Sequence, residues 1–298
     1  MKNYIKPNWP APKNVKAYST KRTGGVSQPP YDSFNFSLLT GDNPNDVLAN
    51  RKILSQELNL PQEPFWLKQI HSDIVLSLGK NTSPDGTTHT VSAKNHIPIL
   101  DMTADTADAA FTTDTGVVCA VLTADCVPIL VCDENGTIVA AIHAGWKGIA
   151  TGVIAATIKA MNINPSKLLA WLGPAIRPNA YAVKHDVYEI FLKQNPENKS
   201  AFVRHDDRFL ANTYSLASLY LNHAGVTKVY GGKYCTYTQK DLFFSFRRDG
   251  EKTGRMANLI WLEKNYIVEP SLRDFGASEP VNGNCIAPKT KQPSNDFE

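Results

Sequence analysis

A single domain that combines a buried sheet with amphipathic helices is the fold class this sequence predicts, on three observations. Three strand-length apolar runs, VVCAVL, VPILVC and TIVAAI, follow one another between residues 117 and 142, separated only by TAD and the turn DENG. Runs that are apolar throughout suit strands covered on both faces. Directly after them the apolar period changes from two to that of a helix, with Ile149, Val153, Ile154, Ile158 and Met161 on one face. Finally, the 298 residues contain no Pro/Gly/Ser linker or composition shift across the middle, which favours one core although the length would allow two.

The bulk properties exclude several classes. A hydrophobic fraction of 42% with 20% charged residues is that of an ordinary soluble protein. The net charge of +3 is too small and too evenly spread to call for nucleic acid. The stretch MKNYIKPNWPAPKNV has no apolar core for a signal peptide, and no later run reaches the length of a membrane span. A cytoplasmic protein with no membrane partner is therefore expected. Five cysteines, an odd number in a large chain, suit reduced thiols, and Cys119 and Cys132 read as small core residues. No interface stripe identifies a protein partner.

In chain order, VKAYST (15–20) reads as a strand leading into the turn KRTGGVS, and PYDSFNFS as a loop or edge strand. A helix follows over GDNPNDVLANRKILSQELNL, capped by Asn45 or Asp46, with Val47, Leu48, Ile53, Leu54 and Leu58 as its apolar face. WLKQIHSDIVLSL alternates as a strand with His71 near its middle, and the polar stretch GKNTSPDGTTHTVSAKNH, with His89 and His96, reads as a surface insertion. Beyond the apolar runs, Gly145, Gly148 and Gly152 cost helix propensity and imply a close approach to that backbone. LLAWLG is a strand, 185–194 and 213–223 are helices, TKVYGG is a strand, and Arg247, Arg248 and Arg255 surround a glycine turn before the apolar strand MANLIWL. Residues 276–298 have the composition of a flexible tail.

Chemistry is signalled by polar residues inside the most apolar stretch. Cys126 opens one apolar run and His143 ends the next, 17 positions on, so antiparallel pairing brings both to one sheet edge. A thiolate beside an imidazole serves either as a nucleophile with its base or as two Zn²⁺ ligands. His71 is the candidate third ligand because it also interrupts an apolar segment, though spacing does not select it from seven histidines. Buried structural residues are the third reading, and all three stay open on the residues alone.

The ordered series KRTGGVSQPPYDSFN, GDNP with Val47 and Asn50-Arg51, KQIH, AVLTADCVPIL, AAIHAGWKG, WLGPAI and FFSFRRDGEKTGR resembles the YfiH-like family, also called the multicopper polyphenol oxidase or laccase-domain family. The resemblance spans about residues 15–263. It implies a single α+β domain with mixed sheets packed between helical layers (α/β/β/α-like), here residues 1–275. It also implies a zinc site at His71, Cys126 and His143, with copper as the less favoured metal. Family enzymes are known as purine nucleoside phosphorylases acting on adenosine, inosine, guanosine and methylthioadenosine, with adenosine deaminase activity, and some members are linked to correcting peptidoglycan precursors. Oxidases with several coppers need His-x-His pairs in quantity, and none occurs here, so laccase chemistry is not expected. The chain departs from the family pattern at Ser72, often glycine, and at Lys184, where a glycine usually precedes a helix.

The expected activity is attack of phosphate on the ribose anomeric carbon of a purine nucleoside. Arg247 and Arg255, with Arg51 the weaker candidate, would clamp phosphate through their guanidinium forks, the plainer alternative being surface ion pairs. Cys126 and Asp125 are the candidate catalytic residues. In deamination Asp125 would carry a proton, or it is simply a turn residue capping backbone. Trp146 or Phe244 could stack on the base, although core packing is the commoner role. The rival functions are a Cys126/His143 hydrolase acting on a peptide or amide, such as a peptidoglycan precursor, and a zinc-stabilised binding protein without catalysis.

Overall fold

The computed structural model describes residues 2–79, 90, 91 and 106–264. The strands are β1 (Tyr4–Ile5), β2 (Val15–Thr20), β3 (Phe65–Trp66), β4 (Val75–Ser77), β5 (Thr90–Val91), β6 (Ala109–Thr112), β7 (Val118–Thr123) and β8 (Val127–Asp133). They continue as β9 (Val139–Ala144), β10 (Leu168–Leu172), β11 (Ala182–Val183), β12 (Phe202–His205), β13 (Arg208–Ala211), β14 (Lys228–Gly231) and β15 (Met256–Leu262). The α-helices are α1 (Pro44–Leu58), α2 (Trp146–Thr151), α3 (Val153–Met161), α4 (His185–Gln194), α5 (Thr213–His223) and α6 (Phe246–Asp249). The expected tail and most of the insertion, including His89, His96 and Cys285, lie outside the described residues.

Two mixed sheets form the centre. One has the order β1-β2-β15-β7-β3, the other β14-β10-β8-β9-β6-β4-β5, and β11-β13-β12 make a small third sheet. Between the two large sheets lies a core of alternate residues from each, including Ala17, Cys119, Val121 and Ile260 from one and Leu130, Cys132, Ala141 and Trp171 from the other. The intervening positions face outward onto helices. Ile129, Val131, Ala140 and Ile142 pack with Val153, Ile154 and Ile158 of α3 and Leu216 and Ala217 of α5. Tyr18, Val118, Ala120, Leu259 and Trp261 pack with Leu54 of α1 and with Phe34 and Phe36. Each central strand is therefore buried on both faces, which is why its sequence is apolar without alternation. The α+β class and the layering of sheets between helices are as the resemblance implied.

Four local expectations are corrected. The three apolar runs do not share one sheet: β7 pairs with β15, whereas β8 and β9 belong to the other sheet, so Ala124, Asp125 and Cys126 carry the chain between sheets. His71 is not within a strand. It sits between β3 and β4 with φ of 62°, in the left-handed region. Helix α1 starts earlier than expected because Pro44 is pre-set for the first helical turn and the Asn43 side chain accepts the Asn45 N–H; Leu48 faces solvent. The helix after Ala144 is broken into α2 and α3 at Gly152, whose φ of 108° ends one helix and begins the next. Lys184 precedes α4 in ordinary extended backbone, so the absent glycine does not disturb that start.

Candidate metal centre

Sheet register delivers two donors. β8 and β9 pair antiparallel with Val127 opposite Ala144 and Pro128 opposite His143, so Cys126, one residue before β8, lies at the end of the sheet where β9 finishes. His71 reaches the same place from its loop, its Nε2 3.8 Å from the Cys126 Sγ. The rings of His71 and His143 meet edge to face with centroids 4.7 Å apart. One donor atom from each of His71, Cys126 and His143 lies within 4.8 Å of the others, and this is the one group of three or more such residues so assembled among the described residues.

The donor set fits a metal. Bond lengths of about 2.0–2.1 Å to nitrogen and about 2.3 Å to sulfur place tetrahedral ligand atoms roughly 3.3–3.6 Å apart, so the 3.8 Å between His71 Nε2 and Cys126 Sγ needs only a small contraction. Gly145 leaves the room: a Cβ there would lie 2.8 Å from His71 Cδ2 and 2.9 Å from Cys126 Sγ. Of the three glycines expected to admit a close approach, only Gly145 does: a Cβ at Gly148 would make ordinary contacts from 3.4 Å and one at Gly152 would meet open space, Gly152 being required by its φ of 108° instead. With two neutral imidazoles and one thiolate, a bound divalent ion would keep a formal charge of about +1.

Asp108, fully buried just before β6, organises both histidines. Its Oδ1 accepts from His143 Nδ1 at 2.8 Å and from the His71 backbone N–H at 3.0 Å. Its Oδ2 accepts from the Ile70 N–H at 3.2 Å, the Ser72 N–H at 2.6 Å and the Ser72 hydroxyl at 2.7 Å. Burial opposes the Asp108 charge, but the hydrogen bond and charge of His143, with those from Ser72, hold its carboxyl below the ordinary value. Burial likewise opposes charge at Cys126, yet His143 and then His71 bring the thiol down to about 6. His143 moves the other way, to about 9: burial lowers it, and Cys126 and Asp108 more than offset that. By contrast, burial alone pushes the Cys119 thiol well up, and Cys132 rises to about 12. The four described cysteines are free, and only Cys126 faces this cluster.

The three donors line a cleft of about 510 Å³. Asp125, Trp146, Tyr181, Arg247 and Arg255 also line it, with Ser37, Thr40, Gln69 and Phe246 among the remaining groups. Asp125 has φ of 97°, and its carboxylate accepts from the Thr236 hydroxyl and the Arg247 N–H, both at 2.6 Å, so it fixes the first turn of α6. The Arg247 guanidinium lies 4.7 Å above the Tyr181 ring and donates to the Ala182 carbonyl. Arg255 is anchored through its N–H on Asn35 Oδ1, and its Nη1 donates to the Thr253 and Gly254 carbonyls. Burial lowers the Arg255 guanidinium, countered in part by Cys126, Asp125 and Tyr31.

Arg51 is not brought to this cleft. Its Nε and Nη2 donate to the Phe36 carbonyl and it stacks 4.3 Å over Trp66, a packed environment whose burial lowers it to about 10. Phe244 is fully buried under Arg22, in the core role, whereas Trp146 faces the cleft. Sequence reading missed Asp108, Gln69 and Tyr181. An acid set immediately before an apolar strand in DAAFT was the available signal for Asp108. Gln69 gave none: its amide exchanges hydrogen bonds with the Leu122 N–H and carbonyl, holding the His71 loop to β7.

Fold and site together define an α+β protein with an open, metal-competent His/Cys/His centre in a cleft. The chain belongs to the family described as multi-copper polyphenol oxidoreductase laccase, whose model matches residues 16–263. It is 45% identical over 262 residues to the purine nucleoside phosphorylase YfiH of Escherichia coli K12, covering 88% of this chain and all of that protein. A purine nucleoside phosphorylase of Haemophilus influenzae is 41% identical over 265 residues, covering 87% and 99% of the two chains. The crystal structure of a Neisseria meningitidis protein superposes with a TM-score of 0.76 at 45% identity, covering 88% of this chain and all of that one.

Proposed function

We propose that this protein is a zinc-dependent purine nucleoside phosphorylase that takes adenosine, inosine, guanosine and methylthioadenosine, with adenosine deamination as a side activity. The observation that carries the reading is the convergence of His71, Cys126 and His143 in a cleft that Arg247 and Arg255 also line. The names of the relatives support it over most of the chain. Two imidazoles and one thiolate suit Zn²⁺, with copper the less favoured ion, and a bound ion would supply Lewis-acid polarisation next to the substrate.

In phosphorolysis a phosphate oxygen forms a bond to C1′ of the ribose. The C1′–N9 bond breaks with its electron pair passing to the purine, which takes up a proton, and the products are free base and ribose 1-phosphate. Arg247 and Arg255 hold the phosphate through paired N–H donors. Asp125 positions Arg247 by accepting its backbone N–H, and in deamination it is the candidate proton carrier. Trp146 offers a face on which the purine stacks. The reaction belongs to the cytoplasm, where thiols stay reduced. Among the described residues, no helix is long and apolar enough to cross a membrane.

The test is purified protein assayed for zinc and for release of hypoxanthine from inosine with and without phosphate. Phosphate-dependent release that disappears on chelation supports the proposal; release that is independent of phosphate sinks it. The lowered Cys126 thiol beside His143 favours one second reading, a cysteine hydrolase acting on a peptide or amide, including a peptidoglycan precursor. That enzyme would keep its activity after chelation and lose it on alkylation.

A further inference from the structure

We propose that Asp108 is a positioning residue that assembles the metal centre before any metal arrives, joining His143 and the left-handed turn that carries His71 into one unit. The proposal rests on the metal-site reading above and goes beyond it. His71 comes from an irregular loop and is exposed, so no sheet register fixes it. Its backbone occupies the left-handed region at φ 62°, which side chains other than glycine adopt only when their surroundings demand it.

Asp108 supplies that demand. Three consecutive backbone N–H groups, from Ile70 to Ser72, converge on its two carboxylate oxygens, and the same carboxylate accepts the Nδ1–H of His143. The Asp108 carbonyl in addition accepts the His143 backbone N–H at 2.7 Å. One buried side chain therefore sets the His71 turn, selects the His143 tautomer that leaves Nε2 as the donor, and orients its ring. The Ser72 hydroxyl completes the arrangement, since it donates to Asp108 and accepts the Ile74 N–H at 3.2 Å. This gives Ser72 a role: it fastens the far end of the turn.

The test is Zn²⁺ affinity of the full chain, measured by competition with a chromophoric chelator, for wild type, Asp108→Asn and Ser72→Gly. Loss of an outer partner of this kind typically weakens metal binding roughly 10- to 100-fold, the loss expected for Asp108→Asn, with a smaller loss for Ser72→Gly. A Co²⁺-loaded sample adds a signature that a merely structural role would not move: the tetrahedral ligand-field bands of the wild type should shift or weaken in Asp108→Asn. Affinity within twofold of wild type in Asp108→Asn, with unchanged Co²⁺ bands, overturns the proposal. If that variant does not fold, Ser72→Gly decides, and an affinity equal to wild type overturns it. Wild-type protein that binds no Zn²⁺ would overturn the metal centre itself, whereas tight binding without nucleoside turnover would sink only the phosphorylase reading.

Discussion

The β8–β9 pair and the His71 loop deliver ligands to the same point by different physics. In the pair, backbone hydrogen bonds fix the register with Pro128 opposite His143, and both strands are buried along their whole length. Side chains at the sheet end inherit their positions from the ladder. The loop has no ladder around His71; it is held by side-chain acceptors, Asp108 on three of its N–H groups and Gln69 on β7. His143 is thus built into the core, Cys126 is half-buried and placed by the start of β8, and His71 depends on a few polar contacts.

The largest expected effect treats both regions alike. Cys126→Ala should take zinc content and phosphate-dependent hypoxanthine release to background, measured by metal analysis and product chromatography. Unchanged turnover would remove the metal from the reaction. Stability should then separate the regions. His143→Ala leaves the Asp108 carboxylate buried without its cationic partner, a loss of about 3 kcal/mol or more in denaturant unfolding of metal-free protein. His71→Ala, at an exposed position, should change the same quantity by about 0.5 kcal/mol or less while still abolishing metal uptake. Equal destabilisation by the two would break the comparison.

A subtler substitution acts where the regions meet. Gly145→Ala places a methyl against both His71 and Cys126, and a displacement near 1 Å at such a centre costs roughly 100-fold in kcat/KM. In metal-free protein the Cys126 thiol is held at about 6, so its alkylation rate by iodoacetamide should rise as pH increases through 6 and level off by about pH 7. Cys132, raised to about 12, should stay unreactive across that range. A Cys126 midpoint near the ordinary value of about 8.5 would show that the histidines do not act on it. The smallest effect lies outside the cleft: Arg51→Ala should cost about 1 kcal/mol of stability through lost stacking on Trp66, with kcat/KM kept within about threefold.

These contrasts track what could be read in advance. The β8 and β9 runs, the helices 185–194 and 213–223 and the Cys126/His143 edge all follow from local apolar patterns, because a strand or helix announces its period within a few residues. The assignment of β7 to a second sheet had no such signal, since strands buried on both faces look alike whichever sheet they join. Arg51 and Arg255 are indistinguishable as residues. One is sandwiched on Trp66 and the Phe36 carbonyl and the other lines the cleft, a difference made by partners distant in the chain.

By itself, then, the sequence determined one domain of mixed elements and the arrival of a thiol and an imidazole at a common sheet edge, because periodicity and antiparallel pairing are local rules. Only the tertiary structure decided that His71 leaves the strands for a left-handed turn, that Asp108 binds that turn to His143, and which arginines face the cleft. Those outcomes depend on hydrogen bonds and packing between segments some 35 to 220 residues apart, as between Asp108 and His143 or Asn35 and Arg255, and no window along the chain contains them.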